Sequence, residues 1–200
     1  MKNKEILVQL IMKLRGVGVT NNILLNIIEK NPPHYYVNLM EETSKIRLTS
    51  YDDLINIIKV FDYCLKKNTK VNNFLIGNIK SGWSVLLASQ FSKRVYALCS
   101  SIEHKNKLEK IYDYYNIKNI FLTVGICVSS WKRVAPFDII VACNTTNNMP
   151  NNLINMLSNN GMLFIPFNIK KSIKYVKLDK FNGITETSID YKSIISSNVL

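Results

Sequence analysis

The first residues with chemical potential form a glycine-bounded turn, Gly77-Asn78-Ile79-Lys80-Ser81-Gly82-Trp83. It follows the short apolar run Phe74-Leu75-Ile76 and precedes a helical stretch from Ser84 to Phe91. Glycines at a strand–helix junction let the backbone approach a nucleoside-type ligand closely, with the helix N–H groups facing it. The alternative of equal weight is that the two glycines serve the turn geometry alone. Lys80 can meet a ligand carboxylate there, or simply be solvated. Nothing else offers an obvious reacting group. His34 and His104 have no matched partners for a triad or a metal site. Cys64, Cys99, Cys127 and Cys143 form no C-x-x-C pair, and each lies in or beside an apolar run. They read as buried free thiols of a reducing compartment, not as a zinc site.

The elements that must position this turn follow from the apolar spacing. Residues 3–14 and 20–30 carry helical periodicity, separated by Gly16-Val17-Gly18, with Thr20 as an N-cap candidate. Asn31-Pro32-Pro33 stops the second helix, because proline lacks the N–H and restricts the residue before it. Residues 51–66 form a further amphipathic helix. Continuous apolar runs then alternate with helices: strands at 73–77, 95–99, 120–124, 137–142 and 162–165, and helices at 84–91, 101–115 and 153–157. That alternation predicts an α/β fold with a parallel sheet covered on both faces. The tail, 171–177 and 184–194, alternates polar and apolar residues, as an antiparallel hairpin turning near Asn182-Gly183. In a doubly wound sheet, ligands bind beyond the C-terminal strand ends, which is where the glycine turn falls. The organisation expected is a helical extension over 1–50 and one Rossmann-like domain over 51–200.

Composition narrows the classes. The chain of 200 residues is 47% hydrophobic, enough to bury a core. No apolar run approaches the roughly 20 residues of a bilayer helix, and no secretory leader is evident, so a cytoplasmic protein is expected. The formal charge is +12, but only Arg15, Arg47, Arg94 and Arg133 are arginines. The lysines are scattered rather than interleaved with aromatics, alongside abundant Asn and Ile. The charge therefore reads as compositional, and a nucleic-acid partner is not expected.

A more specific pattern lies downstream. Ala135-Pro136-Phe137-Asp138-Ile139-Ile140-Val141 is followed by Met149-Pro150, Leu153, Leu157 and Gly161-Met162-Leu163-Phe164-Ile165-Pro166-Phe167. This resembles the protein-L-isoaspartate O-methyltransferase family, in which A-P-F-D opens strand four and a G-x-L-x-x-P strand follows. Upstream, Gly18 to Leu25 and Tyr36-Val37 resemble that family's N-terminal segment. The resemblance spans about residues 5–170. It implies a Rossmann-like methyltransferase fold with extra N-terminal helices, and S-adenosylmethionine as cofactor. It also implies isoaspartyl proteins as substrates, methylated for repair; a monomer is expected. Such an enzyme chiefly positions a carboxylate in line with the sulfonium methyl, so proximity carries most of the rate.

Against the family's pattern several positions have changed. Its acid before the glycine turn is Leu75 here, and the middle glycine of the turn is absent. The acid that accepts from the ribose hydroxyls falls at Cys99, with Glu103 one helical turn on. The acid near the adenine falls at Ile126. The resemblance thus assigns the cofactor to Gly77, Asn78, Lys80, Ser81, Gly82, Cys99 and Ile126, with no metal. Ser50, in Thr49-Ser50-Tyr51-Asp52, occupies the family's reactive-site serine position, although the following proline is missing. Ser50 or Thr49 equally suits the cap of the helix that follows. Asn31-Pro32-Pro33-His34 also resembles the N-P-P-Y motif of adenine amino-methyltransferases, but it precedes strand one rather than following strand four. Three readings stay open: an isoaspartyl methyltransferase with a rebuilt cofactor site, a silent member of the fold, and a basic RNA-binding relative.

Overall fold

The computed structural model describes residues 2–33, 51–67, 70–77, 82–125, 128–142, 146, 148–169, 172–179 and 183–189. Two helices, α1 (Lys2–Gly16) and α2 (Asn22–Lys30), precede α3 (Tyr51–Lys66). There follow β1 (Val71–Ile76), α4 (Gly82–Ser89), β2 (Ser92–Cys99), α5 (Ile102–Tyr114) and β3 (Ile120–Val124). A 3₁₀ turn (Val128–Val134) leads to β4 (Phe137–Val141), α6 (Asn151–Ile154), β5 (Leu157–Ile169), β6 (Ser172–Asp179) and β7 (Gly183–Ile189).

The strands form one seven-stranded sheet in the order β3-β2-β1-β4-β5-β6-β7. The first five are mutually parallel, and β6 and β7 are antiparallel additions. This is the expected α/β class with its antiparallel end. Val95, Ala97 and Cys99 face one core with Phe74, Ile76, Ile139, Val141 and the helices α1 to α5. The alternate residues Leu75, Tyr96, Phe137, Ile140 and Leu163 face a second, smaller core. The two-residue period of a strand thus splits each apolar run between two layers, so neither face stays polar.

The N-terminal helices join the first core. Leu14, Leu24 and Ile28 are fully buried beside Phe61 and Phe74. Gly18 turns the chain between α1 and α2 at φ 93°, a conformation that a Cβ would strain. The N-cap is Asn21 rather than Thr20: its side chain accepts from Leu24 N at 3.1 Å. Thr20 N and Asn21 N instead donate to one oxygen of Asp62, at 2.9 and 2.8 Å. Asp62 is a buried carboxylate on α3 that also pairs with Lys66. It satisfies donors that a helix start leaves orphaned, and it fixes the hairpin to the domain.

The main departures from the sequence expectation lie at the starts of β5 and β2. Residues 153–157 were expected to be helical, but α6 ends at Ile154 and Leu157 begins β5, paired with Phe137. The apolar residues there fit either element, and pairing with β4 decides between them. Strand β2 starts at Ser92, before its apolar run, because Lys93 and Arg94 occupy its exposed end.

Candidate active site at the C-terminal strand ends

Backbone pairing brings the predicted region together. Ile76 pairs with both Ala97 and Val141, and Cys99 pairs with Val124. Gly77 N then donates to Val141 O at 2.8 Å, and Gly125 N to Cys99 O at 3.1 Å. Gly77, Cys99, Gly125 and Ala142 therefore end four adjacent parallel strands, with α4 and α5 beginning nearby. This is the crevice where open α/β sheets bind ligands. Ser50, Asn78, Lys80, Ser81 and Ile126 lie outside the described residues, as do Ile79 and Cys127.

Gly82 is buried at the first position of α4, where its lack of a side chain lets α5 approach. A Cβ there would stand 2.3 Å from a Leu108 methyl and 2.7 Å from the Tyr112 hydroxyl oxygen. That hydroxyl donates to Gly82 O at 2.9 Å. Gly82 thus serves helix packing, the geometric role weighed for it above. Trp83 lies in the first core, and its indole N–H donates to Asn31 O at 2.6 Å, joining α4 to the end of α2. The sequence offered no sign of that tie.

At the end of β2, expected from the resemblance to face a ribose, the chemistry is weaker. Cys99 is fully buried, and burial, reinforced by Glu109 and opposed by Lys105, pushes its thiol up to about 11. It is a neutral thiol near pH 7, a poor acceptor beside a carboxylate. Glu103 does not replace the missing acid: it is exposed and pairs with Lys107 at 2.7 Å, which holds its carboxyl below the usual range. Ser101 caps α5 by accepting from His104 N at 3.1 Å.

His104 is the polar group that the sequence left without a role. It precedes Leu108 by four residues and so shares the inward face of α5. Its Nε2 is buried without a hydrogen-bond partner among the described residues, and burial, then Lys107, lowers its pKa. Helical spacing would have placed it on the buried face; the lack of a partner could not be read from sequence.

Asp138, in the A-P-F-D segment, lies at the opposite end of the sheet. One of its oxygens accepts from Asn72 N and Asn73 N at 2.8 and 3.0 Å, and the other from Ser158 Oγ at 3.1 Å. It clamps β1 and β5 to β4 and is far from the reacting end. A cavity of about 530 Å³ beside it, lined by Lys70, Pro136 and Asn159 among others, sits at that same end. Gly161 belongs to this clamp: a Cβ would meet the Phe137 carbonyl oxygen at 2.7 Å and Ser158 backbone at 2.9 Å.

The backbone frame suits a nucleoside cofactor, with a glycine ending β1 and a helix opening beyond it. The side chain at the position expected to face the ribose does not suit it, because Cys99 presents no charged acceptor. Among the described residues no helix is long and apolar enough to cross a membrane.

Comparison with known proteins places the chain. The family model described as "Protein-L-isoaspartate(D-aspartate) O-methyltransferase (PCMT)" matches residues 54–195. The Maricaulis maris protein-L-isoaspartate O-methyltransferase is 23% identical over 196 residues, covering 92% of this chain and 89% of that protein. That of Dictyoglomus turgidum is 24% identical over 180 residues, covering 85% and 80%. A Plasmodium falciparum structure described as a protein-L-isoaspartate O-methyltransferase in complex with S-adenosyl-L-homocysteine superposes with a TM-score of 0.66. It is 15% identical and covers 88% of this chain and 91% of its own, a likeness of fold. With the family model matched over most of its length, the chain belongs to the protein-L-isoaspartate O-methyltransferase family.

Proposed function

We propose that this chain methylates the free carboxylate of isoaspartyl residues in damaged proteins, using S-adenosylmethionine. The observation that carries the reading is the family match over residues 54–195, which includes the strand ends and the glycine turn where such a cofactor would lie. When bound, the cofactor supplies an electrophilic methyl on a sulfonium, which a carboxylate oxygen can accept directly. The protein's own part is then placement: holding the substrate carboxylate in line and excluding water.

Gly77, Asn78, Lys80 and Ser81 are assigned to the turn around the cofactor, which Gly82 closes by packing against α5; Cys99 is assigned to the ribose edge and Ile126 to the adenine. Ser50 is assigned to the substrate side. We place the protein in the cytoplasm, where buried free thiols such as Cys64 and Cys99 stay reduced, and take it to act as a monomer.

The test is calorimetric titration with S-adenosylmethionine and S-adenosylhomocysteine, followed by methyl transfer to an isoaspartyl peptide and its aspartyl counterpart. Saturable binding with transfer to the isoaspartyl peptide alone is expected. No binding at millimolar ligand would leave the methyltransferase fold as inherited architecture.

A further inference from the structure

Charges scattered in the sequence are gathered by the fold on the second face of the sheet, near its β3 edge. β3 is an edge strand, and it pairs in register with β2, Phe121 opposite Tyr96. The two rings stack at 5.2 Å with an interplanar angle of 22°. Phe121 is nevertheless 42% exposed, so one side is held by Tyr96 while part of the ring meets solvent. Behind this pair, Trp131 packs edge-on against Tyr96 at 5.0 Å and donates to Ala97 O at 3.3 Å. Those contacts fix the 3₁₀ turn across β2, and with it the two residues that follow Trp131.

Those residues are Lys132 and Arg133, both exposed. Arg94, also exposed, lies two residues before Tyr96 and therefore on the same face of β2. None of the three is in an ion pair among the described residues. No acidic residue occurs in β2, β3 or the 3₁₀ turn. Asp113, near the end of α5, is paired with Lys118 at 2.9 Å. Two of the chain's four arginines are here, in a protein whose basic residues are otherwise nearly all lysine. A drift toward lysine explains a general positive charge; it does not explain arginines around an exposed, pre-stacked ring.

We propose that this face binds single-stranded nucleic acid, one base stacking on Phe121 and the phosphates meeting Arg94, Lys132 and Arg133. A rigid aromatic platform flanked by unpaired cations is what sequence-tolerant single-strand binding requires. A second copy of this chain fits less well, since both would carry +12. The surface does not depend on the methyl-transfer reading, because it lies across β2 and β3 rather than in the crevice at their C-terminal ends.

The test is fluorescence anisotropy of a labelled oligouridylate across a salt series, with poly-glutamate as a competing polyanion. Binding is expected at low salt, weakening steeply as salt rises. Substituting Arg94→Gln, Lys132→Gln and Arg133→Gln together should lower the log–log salt slope by about 2, at roughly 0.7 per phosphate contact. Phe121→Ala should weaken binding about fivefold or more, with the slope unchanged. Lys110→Gln, exposed on α5, is the control and should change the slope little. Thermal melts check that each variant is folded, and Phe121→Leu serves if the alanine variant is not. No binding at low salt would overturn the proposal, and so would a slope indifferent to the triple substitution. Poly-glutamate competing equally well per charge, with no effect of Phe121→Ala, would assign the face to acidic peptides instead.

Discussion

Cys99→Asp tests the cofactor reading at its weakest point. Cys99 ends β2, fully buried, as a thiol that burial keeps protonated. The family carries an acid here that accepts from the ribose hydroxyls. Hydrogen bonds to a charged group contribute about 1.5–3 kcal/mol each. Two such bonds would give more, but the new carboxylate must be desolvated beside Glu109, with Lys105 as partial compensation. We take one bond as the net gain, about 1.5 kcal/mol, or roughly tenfold in affinity. The assay is calorimetric titration of S-adenosylhomocysteine into wild type, Cys99→Asp and Cys99→Ser. Serine, with a similar size and no charge, should bind like wild type. A folded Cys99→Asp that binds no tighter than Cys99→Ser would refute the reasoning, because the ribose would not then lie against the end of β2.

Three further outcomes follow from the geometry. Gly161→Ala should destabilise by about 2 kcal/mol, because the atoms it meets are backbone and β4 and β5 must part; a melting temperature within about 2 °C of wild type would contradict this. Asp138→Ala strips the acceptor from two β1 N–H groups and from Ser158, which should cost about 2 kcal/mol and lower the melting temperature by about 4–8 °C, while S-adenosylhomocysteine affinity at a temperature where the variant is folded stays unchanged. His104 has a lowered pKa in the fold, so the unfolded chain binds more protons between the folded and unfolded values. The stability it supports is present above its unfolded pKa and is lost as pH falls through its folded one, and His104→Leu should lose less melting temperature between neutral and mildly acidic pH than wild type.

Much of the frame was legible because strand and helix leave different periods. Apolar runs such as Phe137–Ala142, bounded by turn residues, fixed the parallel strands, and the polar alternation after Ser172 marked the antiparallel end. Leu153–Leu157 failed for a physical reason: a short apolar run satisfies either geometry, and only the partner Phe137 makes Leu157 a strand residue. Ties between residues distant in sequence were closed to such reading altogether. Asp62 reaching Thr20 and Asn21, and Trp83 reaching Asn31, satisfy orphan donors that no periodicity reveals.

The site divides in the same way. Gly77 and Cys99 could be placed because the end of a parallel strand is legible from its apolar run, and ligand position follows from strand ends. The roles of the glycines could not, since spacing alone does not separate a glycine that admits a ligand from one that admits a helix. At Gly82 the separation came from Leu108 and Tyr112, which lie a whole strand and half a helix further along the chain. The same logic makes Asp138 a clamp rather than a reacting group. A carboxylate whose two oxygens already accept from Asn72, Asn73 and Ser158, at the N-terminal end of the sheet, is committed to holding strands and is not positioned for chemistry at the other end. A motif can therefore identify a family through residues that hold its sheet together, and positions such as Cys99, where the motif has changed, are where activity has to be tested.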